Sequence, residues 1–106
     1  MKYNIPSTMK AVLQHEANGQ LTVKEIPVPV PKKGEVLVKM AASPINPSDL
    51  SFLKGTYVQT PFYPVIPGIE GSGVVVASGG GILANLRVGK RVTCSSSEGN
   101  GGTWAE

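Results

Sequence analysis

Few side chains in this sequence could do chemistry by themselves. There is one histidine, His15, and one cysteine, Cys94, too few for a zinc site with three protein ligands unless carboxylates join them. His15 falls in an alternating apolar–polar stretch and reads as a strand-surface residue. Cys94 alternates with Val92 and reads as a small core residue. A Cys–His nucleophilic pair would also need an acidic orienter and an oxyanion loop, and the sequence marks neither. Two stretches imitate phosphate-binding loops and fail. Gly71-Ser72-Gly73 runs into Val74-Val75-Val76, so the third glycine of a dinucleotide fingerprint is absent. A strand follows where a helix should point its amides at phosphate. Before Gly89-Lys90, Ala84 stands where a Walker loop needs glycine, and Arg91 replaces its Ser/Thr. Two constellations remain: Asn46-Pro47-Ser48-Asp49 with Gly55-Thr56-Tyr57, and Pro67-Gly68-Ile69-Glu70-Gly71.

The elements that must position these residues are short. Met9–Glu16 alternates in polarity, as does Leu21–Ile26, and Asn18-Gly19 between them is a two-residue turn signal, so a hairpin is expected. Pro27, Pro29 and Pro31 remove backbone donors at alternate positions and confine that stretch to an extended edge or strap. Lys32-Lys33-Gly34 turns the chain into a strand over Glu35–Ala42, with Val36, Val38 and Met40 on one face. Asn46 then reads as an N-cap, Pro47 as the first helical residue and Asp49 as an acid serving the helix dipole; Gly55 closes that short helix. Pro61 to Pro67 is irregular. Val74–Ala77 is an apolar strand broken by Gly79-Gly80-Gly81. Val88-Gly89 is a turn before a further strand, Lys90–Cys94. Ser95–Gly102 is a polar, glycine-rich loop, after which Gly102-Thr103-Trp104 opens a new element. The pattern predicts a mainly β fold, an antiparallel, partly open barrel with one short helix. Residues 1–8 read as a loose leader, and 9–106 as part of one domain.

Composition excludes several partners. With 13 glycines and 9 prolines, the 106-residue chain favours short strands and tight turns over long helices. A net charge of +3, spread thinly apart from Lys32-Lys33 and Arg87/Lys90/Arg91, lacks the dense basic patch and stacking aromatics that nucleic acid requires. No stretch approaches the roughly 20 apolar residues of a membrane span. Residues 1–8 lack an apolar signal core and the arginines of a transit peptide. With a lone cysteine, this favours an intracellular setting, cytoplasmic over mitochondrial.

Read together, the motifs resemble a known family. Ala-Ala-Ser-Pro-Ile-Asn-Pro-Ser-Asp-Leu (41–50), Gly-Thr-Tyr (55–57), Pro-Val-Ile-Pro-Gly-Ile-Glu-Gly-Ser-Gly-Val-Val (64–75) and Val-Gly-Lys-Arg-Val (88–92) occur in the order and at the spacing of the GroES-like catalytic domain of medium-chain dehydrogenases/reductases. Met9-Lys10-Ala11-Val12 resembles that family's first strand. The catalytic cysteine of the zinc-dependent members falls at Asn46, and the histidine of their Gly-His-Glu motif at Ile69. Asparagine is a poor zinc ligand and isoleucine is none. After Cys94 the chain offers Ser95-Ser96-Ser97-Glu98-Gly99-Asn100 in place of the cysteines of a structural zinc lobe. The resemblance is therefore to the zinc-free quinone oxidoreductases and trans-2-enoyl thioester reductases, with Asn46-Pro47-Ser48-Asp49, Gly55-Thr56-Tyr57 and Gly102-Thr103-Trp104 leaning slightly towards the latter.

The resemblance implies an NADPH-dependent parent, without zinc and homodimeric, that transfers hydride to a small unsaturated carbonyl. NADPH would be bound mainly by a C-terminal doubly wound domain, so this portion alone is expected to be inactive. Tyr57 falls where enoyl reductases carry an active-site tyrosine; a neutral phenol suits an oxygen gaining negative charge. A packing tyrosine with a surface hydroxyl is the equal alternative. Asn46 and Pro47 fall beside substrate and cofactor, though helix capping alone accounts for Asn46. Glu70 is expected to be a buried structural carboxylate tied to backbone amides rather than an acid/base. Gly68, Gly71 and Gly73 are expected to permit close backbone packing. The rival readings are a non-catalytic binding or structural β-barrel module and a zinc-dependent alcohol dehydrogenase whose ligands are absent.

Overall fold

A computed structural model describes residues 3–57, 61–95 and 101–106. Along the chain run β1 (Thr8–Gln14), β2 (Leu21–Pro27), β3 (Val36–Ala42), α1 (Pro47–Lys54), β4 (Glu70–Ser78), α2 (Ile82–Arg87) and β5 (Arg91–Ser95). β1 and β2 form an antiparallel hairpin, and β3, β4 and β5 form a second antiparallel sheet in that order. The two sheets are joined through Trp104–Glu106. Val12 N–H donates to the Trp104 carbonyl at 2.9 Å, Glu106 N–H to the Lys10 carbonyl at 3.0 Å, and Met40 N–H to the Glu106 carbonyl at 3.2 Å. Among the described residues the sheets do not close into a complete barrel, as the expected partly open architecture requires.

Several local expectations hold for the stated reasons. Gly55 ends α1 at φ 79°, in the left-handed region where glycine has no Cβ penalty. The proline strap after β2 stays extended, with Val28 N–H donating to the Ser7 carbonyl at 3.0 Å.

Others are corrected. The supposed leader is partly built in: Thr8 belongs to β1, and Ile5, Pro6 and Ser7 line a hollow with the strap residues. Asn18-Gly19 does not make a two-residue turn. Only Asn18 takes positive φ (57°), and residues 15–20 all lie between the paired ends Gln14 and Leu21. Two register shifts interrupt β3, between Leu37/Val38 and Met40/Ala42, so Leu37 is half-buried alongside Val36 and Val38. A bulge of this kind breaks strict alternation.

The fold also has a second helix, α2, which the sequence reading missed. Three glycines before it and six residues within it hide the usual periodicity; only Ala84 is buried. Among the described residues the core is small, with Ala11, Val75 and Ala84 as its buried hydrophobic side chains. Gln14, Asp49 and Thr103 are buried polar side chains. Among the described residues no helix is long and apolar enough to cross a membrane.

Candidate active site

The start of α1 organises the polar cluster. Asn46 is the N-cap, in extended conformation (φ −100°, ψ 161°), and Pro47 takes the first helical position, where its missing N–H leaves nothing unsatisfied. Asp49, in the first turn, is 1% exposed. Its Oδ2 accepts Asn46 N–H at 2.7 Å, and its Oδ1 accepts Ile69 N–H at 3.0 Å. Both oxygens thus take main-chain donors, one on the helix and one just before β4. A place in the first turn suits an acidic residue, but the reach to Ile69 makes Asp49 a tertiary clamp as well.

Glu70 departs from expectation. It is exposed, and its Oε1 accepts from Asn46 Nδ2 at 2.8 Å rather than from backbone amides. Alternation along β4 explains this: Gly71, Gly73 and Val75 point inward and are buried, so Glu70 must point outward. The buried structural carboxylate exists, and it is Asp49.

Behind Glu70 lies a hydroxyl pair. Ser43 Oγ and Thr103 Oγ1 stand 2.7 Å apart, and each is within reach of the Glu70 carbonyl, at 2.8 and 2.9 Å. With one proton each, they can supply two of these three contacts as hydrogen bonds. This knot ties the loop after β3, the start of β4 and the terminal segment together. In the sequence Ser43 is marked as a site residue only by its place in Ala-Ala-Ser-Pro, and its partner only by the Gly102-Thr103-Trp104 string.

The three glycines do permit close approach. A Cβ on Gly68 (φ 105°) would strike Thr103 Oγ1 and Trp104 Cδ1; one on Gly71 would strike Met40 Cε, and one on Gly73 the Lys39 carbonyl oxygen. Cys94 is half-buried, with Sγ 3.9 Å from Met40 Sδ and 3.6 Å from the Gly71 carbonyl. Burial pushes its thiol above the ordinary 9.0, which keeps it neutral and a poor nucleophile at pH 7. His15 is exposed, but it lies in the connection after β1 rather than on a strand surface.

The structure therefore brings Asn46, Asp49 and Glu70 together. Tyr57 lies apart, beyond the other end of α1, which at 1.5 Å per residue is about 12 Å long. It is 37% exposed, and its ring meets Phe52 edge-on, with centroids 6.4 Å apart. Among the described residues no hydrogen bond joins its hydroxyl to the Asn46–Glu70 cluster. Pro47 is exposed and serves the helix start. An open hollow of about 430 Å³ lies between the sheets, lined by Val12, Val23, Met40, Ser43 and Thr103 among others. Among the described residues no group of three or more His, Cys, Asp or Glu could hold a metal ion. Residues 96–100, most of the expected polar loop, lie outside the described residues.

Comparison with known proteins places this geometry among relatives. The alcohol dehydrogenase GroES-like domain family matches residues 32–106. A protein named alcohol dehydrogenase from Moraxella sp. (strain TAE123) is 39% identical over 84 residues, covering 79% of this chain and 25% of the relative. A solved structure from Mesorhizobium loti, provisionally named an NADPH:quinone reductase, superposes with a TM-score of 0.85 at 36% identity. That match covers 98% of this chain and 34% of the other. The human synaptic vesicle membrane protein VAT-1 homolog-like protein gives a TM-score of 0.75 at 30% identity, covering 93% and 31%. The chain thus spans between a quarter and about a third of the length of these relatives.

Proposed function

The chain belongs to the alcohol dehydrogenase GroES-like domain family, and from that premise we propose that it is the substrate-side part of a nicotinamide-dependent reductase. The substrate class is an α,β-unsaturated carbonyl, a quinone or an enoyl thioester, and the cofactor is NADPH. One observation carries the choice within the family. Asn46 and Ile69 stand where zinc-dependent members place a cysteine and a histidine. The Asn46 amide donates through Nδ2 to Glu70, and the Ile69 side chain has no donor atom for a metal. The quinone reductase name of the Mesorhizobium loti neighbour, at a TM-score of 0.85, lends support.

The described residues do not fit a dinucleotide's pyrophosphate. Gly71-Ser72-Gly73 lies inside β4, its glycines backed by Met40 and Lys39, with no helix N-terminus after it. NADPH would accordingly be held by protein beyond these elements, and it would supply the hydride. The contribution of this chain is to bind and orient the carbonyl substrate and to meet the negative charge that gathers on its oxygen. Tyr57 is the proposed donor: its phenol carries an O–H, and the residue is partly exposed just beyond the end of α1.

The test is a Tyr57→Phe variant of the full-length protein, assayed with NADPH against a quinone and an enoyl thioester side by side. Loss of one such donor costs about 2.7–4 kcal/mol of barrier, so kcat should fall roughly 100- to 1,000-fold. Full rates in the variant remove Tyr57 from the mechanism. Inactivity of the parent towards both substrates, or activity that depends on stoichiometric zinc, defeats the reading itself. The Moraxella relative's name favours alcohol–carbonyl interconversion as the second reading, and the zinc analysis separates the two.

A further inference from the structure

The sequence holds two separate basic groups, Lys32-Lys33 and Arg87/Lys90/Arg91, and the fold brings them to one end of the three-stranded sheet. Val36, just after the first group, pairs with Ser78, and Arg91 pairs with Val74 on the same strand. Gly34 N–H donates to the Gly80 carbonyl at 3.0 Å, so the turn carrying both lysines abuts the start of α2. All five cations are exposed, and among the described residues none is held in an ion pair. Glu35 shares the turn, but its Oε1 already accepts Lys32 N–H at 2.8 Å. α2 stands between the two groups with its apolar side chains turned outward: Ile82 is 80% exposed, Leu83 71% and Leu86 60%. Spacings of three and four residues put them on one stripe, opposite Ala84, the residue that α2 buries. A single exposed leucine is ordinary; three such side chains on six residues, flanked by cations, mark a contact surface.

We infer that α2 is a membrane-surface contact: Ile82, Leu83 and Leu86 enter the headgroup–acyl boundary of an anionic phospholipid bilayer, while Lys32, Lys33, Arg87, Lys90 and Arg91 meet the lipid headgroups. Charge sets the sign of the partner, because five unpaired cations beside one engaged carboxylate attract an anionic surface. Shape favours a bilayer over a protein. A partner helix needs a groove, whereas these three apolar side chains stand on the outer face of their helix and line neither of the two hollows. Long basic side chains lay their stems along apolar surface and keep their charges at the headgroups, so a short apolar tip among cations suits a shallow, reversible seat. The contact is peripheral and independent of the reaction proposed above.

Sedimentation of the full-length protein with phosphatidylcholine vesicles, with and without about one-third phosphatidylserine, tests this. The parent should sediment with the anionic vesicles, stay in solution with the neutral ones, and lose affinity as salt rises from about 0.1 to about 1 M. Replacing both lysines, Lys32→Ala with Lys33→Ala, should weaken binding about 25-fold, roughly fivefold for each cation lost. Leu83→Gln with Leu86→Gln should weaken it about tenfold at low salt, since the seat also scales with buried apolar area. Melting temperatures should stay at the parent's value in both variants. A parent that ignores anionic vesicles overturns the inference, and so does binding that either pair of substitutions leaves untouched. A glutamine variant whose oligomeric state differs from the parent's in analytical ultracentrifugation makes α2 a contact between copies, which overturns it as well.

Discussion

Replacing Asp49 by asparagine changes one oxygen to an amide nitrogen and almost nothing in shape. The carboxylate it replaces is 1% exposed and holds Asn46 N–H at 2.7 Å and Ile69 N–H at 3.0 Å. Asparagine has one acceptor oxygen, so its amide group must face one of those two donors, donor against donor. A hydrogen bond to a charged group is worth about 1.5–3 kcal/mol, and the orphaned amide adds roughly 1–3 kcal/mol. Part of this is offset because an ionised group no longer has to be buried. A net loss of about 2–4 kcal/mol follows, out of a total on the order of 5–15 kcal/mol for a domain. At roughly 4–8 °C per kcal/mol in a chain of this size, Asp49→Asn should melt on the order of 10–30 °C lower. Circular dichroism melts measure the shift, and hydrogen exchange should show either the Asn46 or the Ile69 amide losing its protection. A variant that melts within a degree of the parent, with both amides still protected, refutes the clamp.

Three further outcomes follow from single residues. Gly73→Ala sets a methyl group against the Lys39 carbonyl oxygen, backbone that cannot swing away, so urea unfolding should register a loss of about 1–3 kcal/mol. Gln14→Leu should be nearly neutral, within about 1 kcal/mol by the same measurement. The reason is that Gln14 Oε1 is buried without a partner, and the Leu53 carbonyl that accepts Nε2 keeps its bond from Asn18 N–H at 2.9 Å. Cys94 should alkylate slowly at neutral pH, because burial raises its thiol above 9.0. The unfolded chain then sheds that proton first, so the stability it contributes is complete below about pH 9.0 and declines as pH rises further. Urea midpoints from pH 7 to 10 check the sign, with Cys94→Ser expected to show a flatter profile.

The sequence was most legible where one residue type forces one conformation. Proline at the first helical position and glycine past the last gave α1 its ends at Pro47 and Lys54. Close glycine packing at positions 68, 71 and 73 was legible because glycines clustered at the entry and first residues of a strand have few other uses. What sequence could not show was long-range partnership. Asp49 looked local, a residue for its own helix dipole, since nothing in a single sequence says that Ile69 N–H lies against it. Glu70 was misplaced for a related reason: glycines on both sides suggested burial, whereas the two-residue alternation of β4 puts the glycines in and the acid out. Thr103 is buried and bonded to Ser43, but the partners are sixty positions apart. α2 was hidden because a six-residue helix with one buried side chain shows no periodic face.

The clamp also bears on how one framework can serve different chemistries. Asp49 takes main-chain amides at Asn46 and Ile69 and no side chain at either. Main-chain donors exist whatever residue occupies those positions, proline excepted. The geometry that brings position 46 to the start of β4 is therefore independent of whether the side chains there bind a metal, donate a hydrogen bond or do neither. In this chain the side chain at 46 is an amide hydrogen-bonded to Glu70, and the one at 69 is aliphatic. Chemistry at such a site is set by side chains carried on a frame held by backbone, and the residue that holds the frame, buried and facing no ligand, is the one whose loss should be felt first in stability.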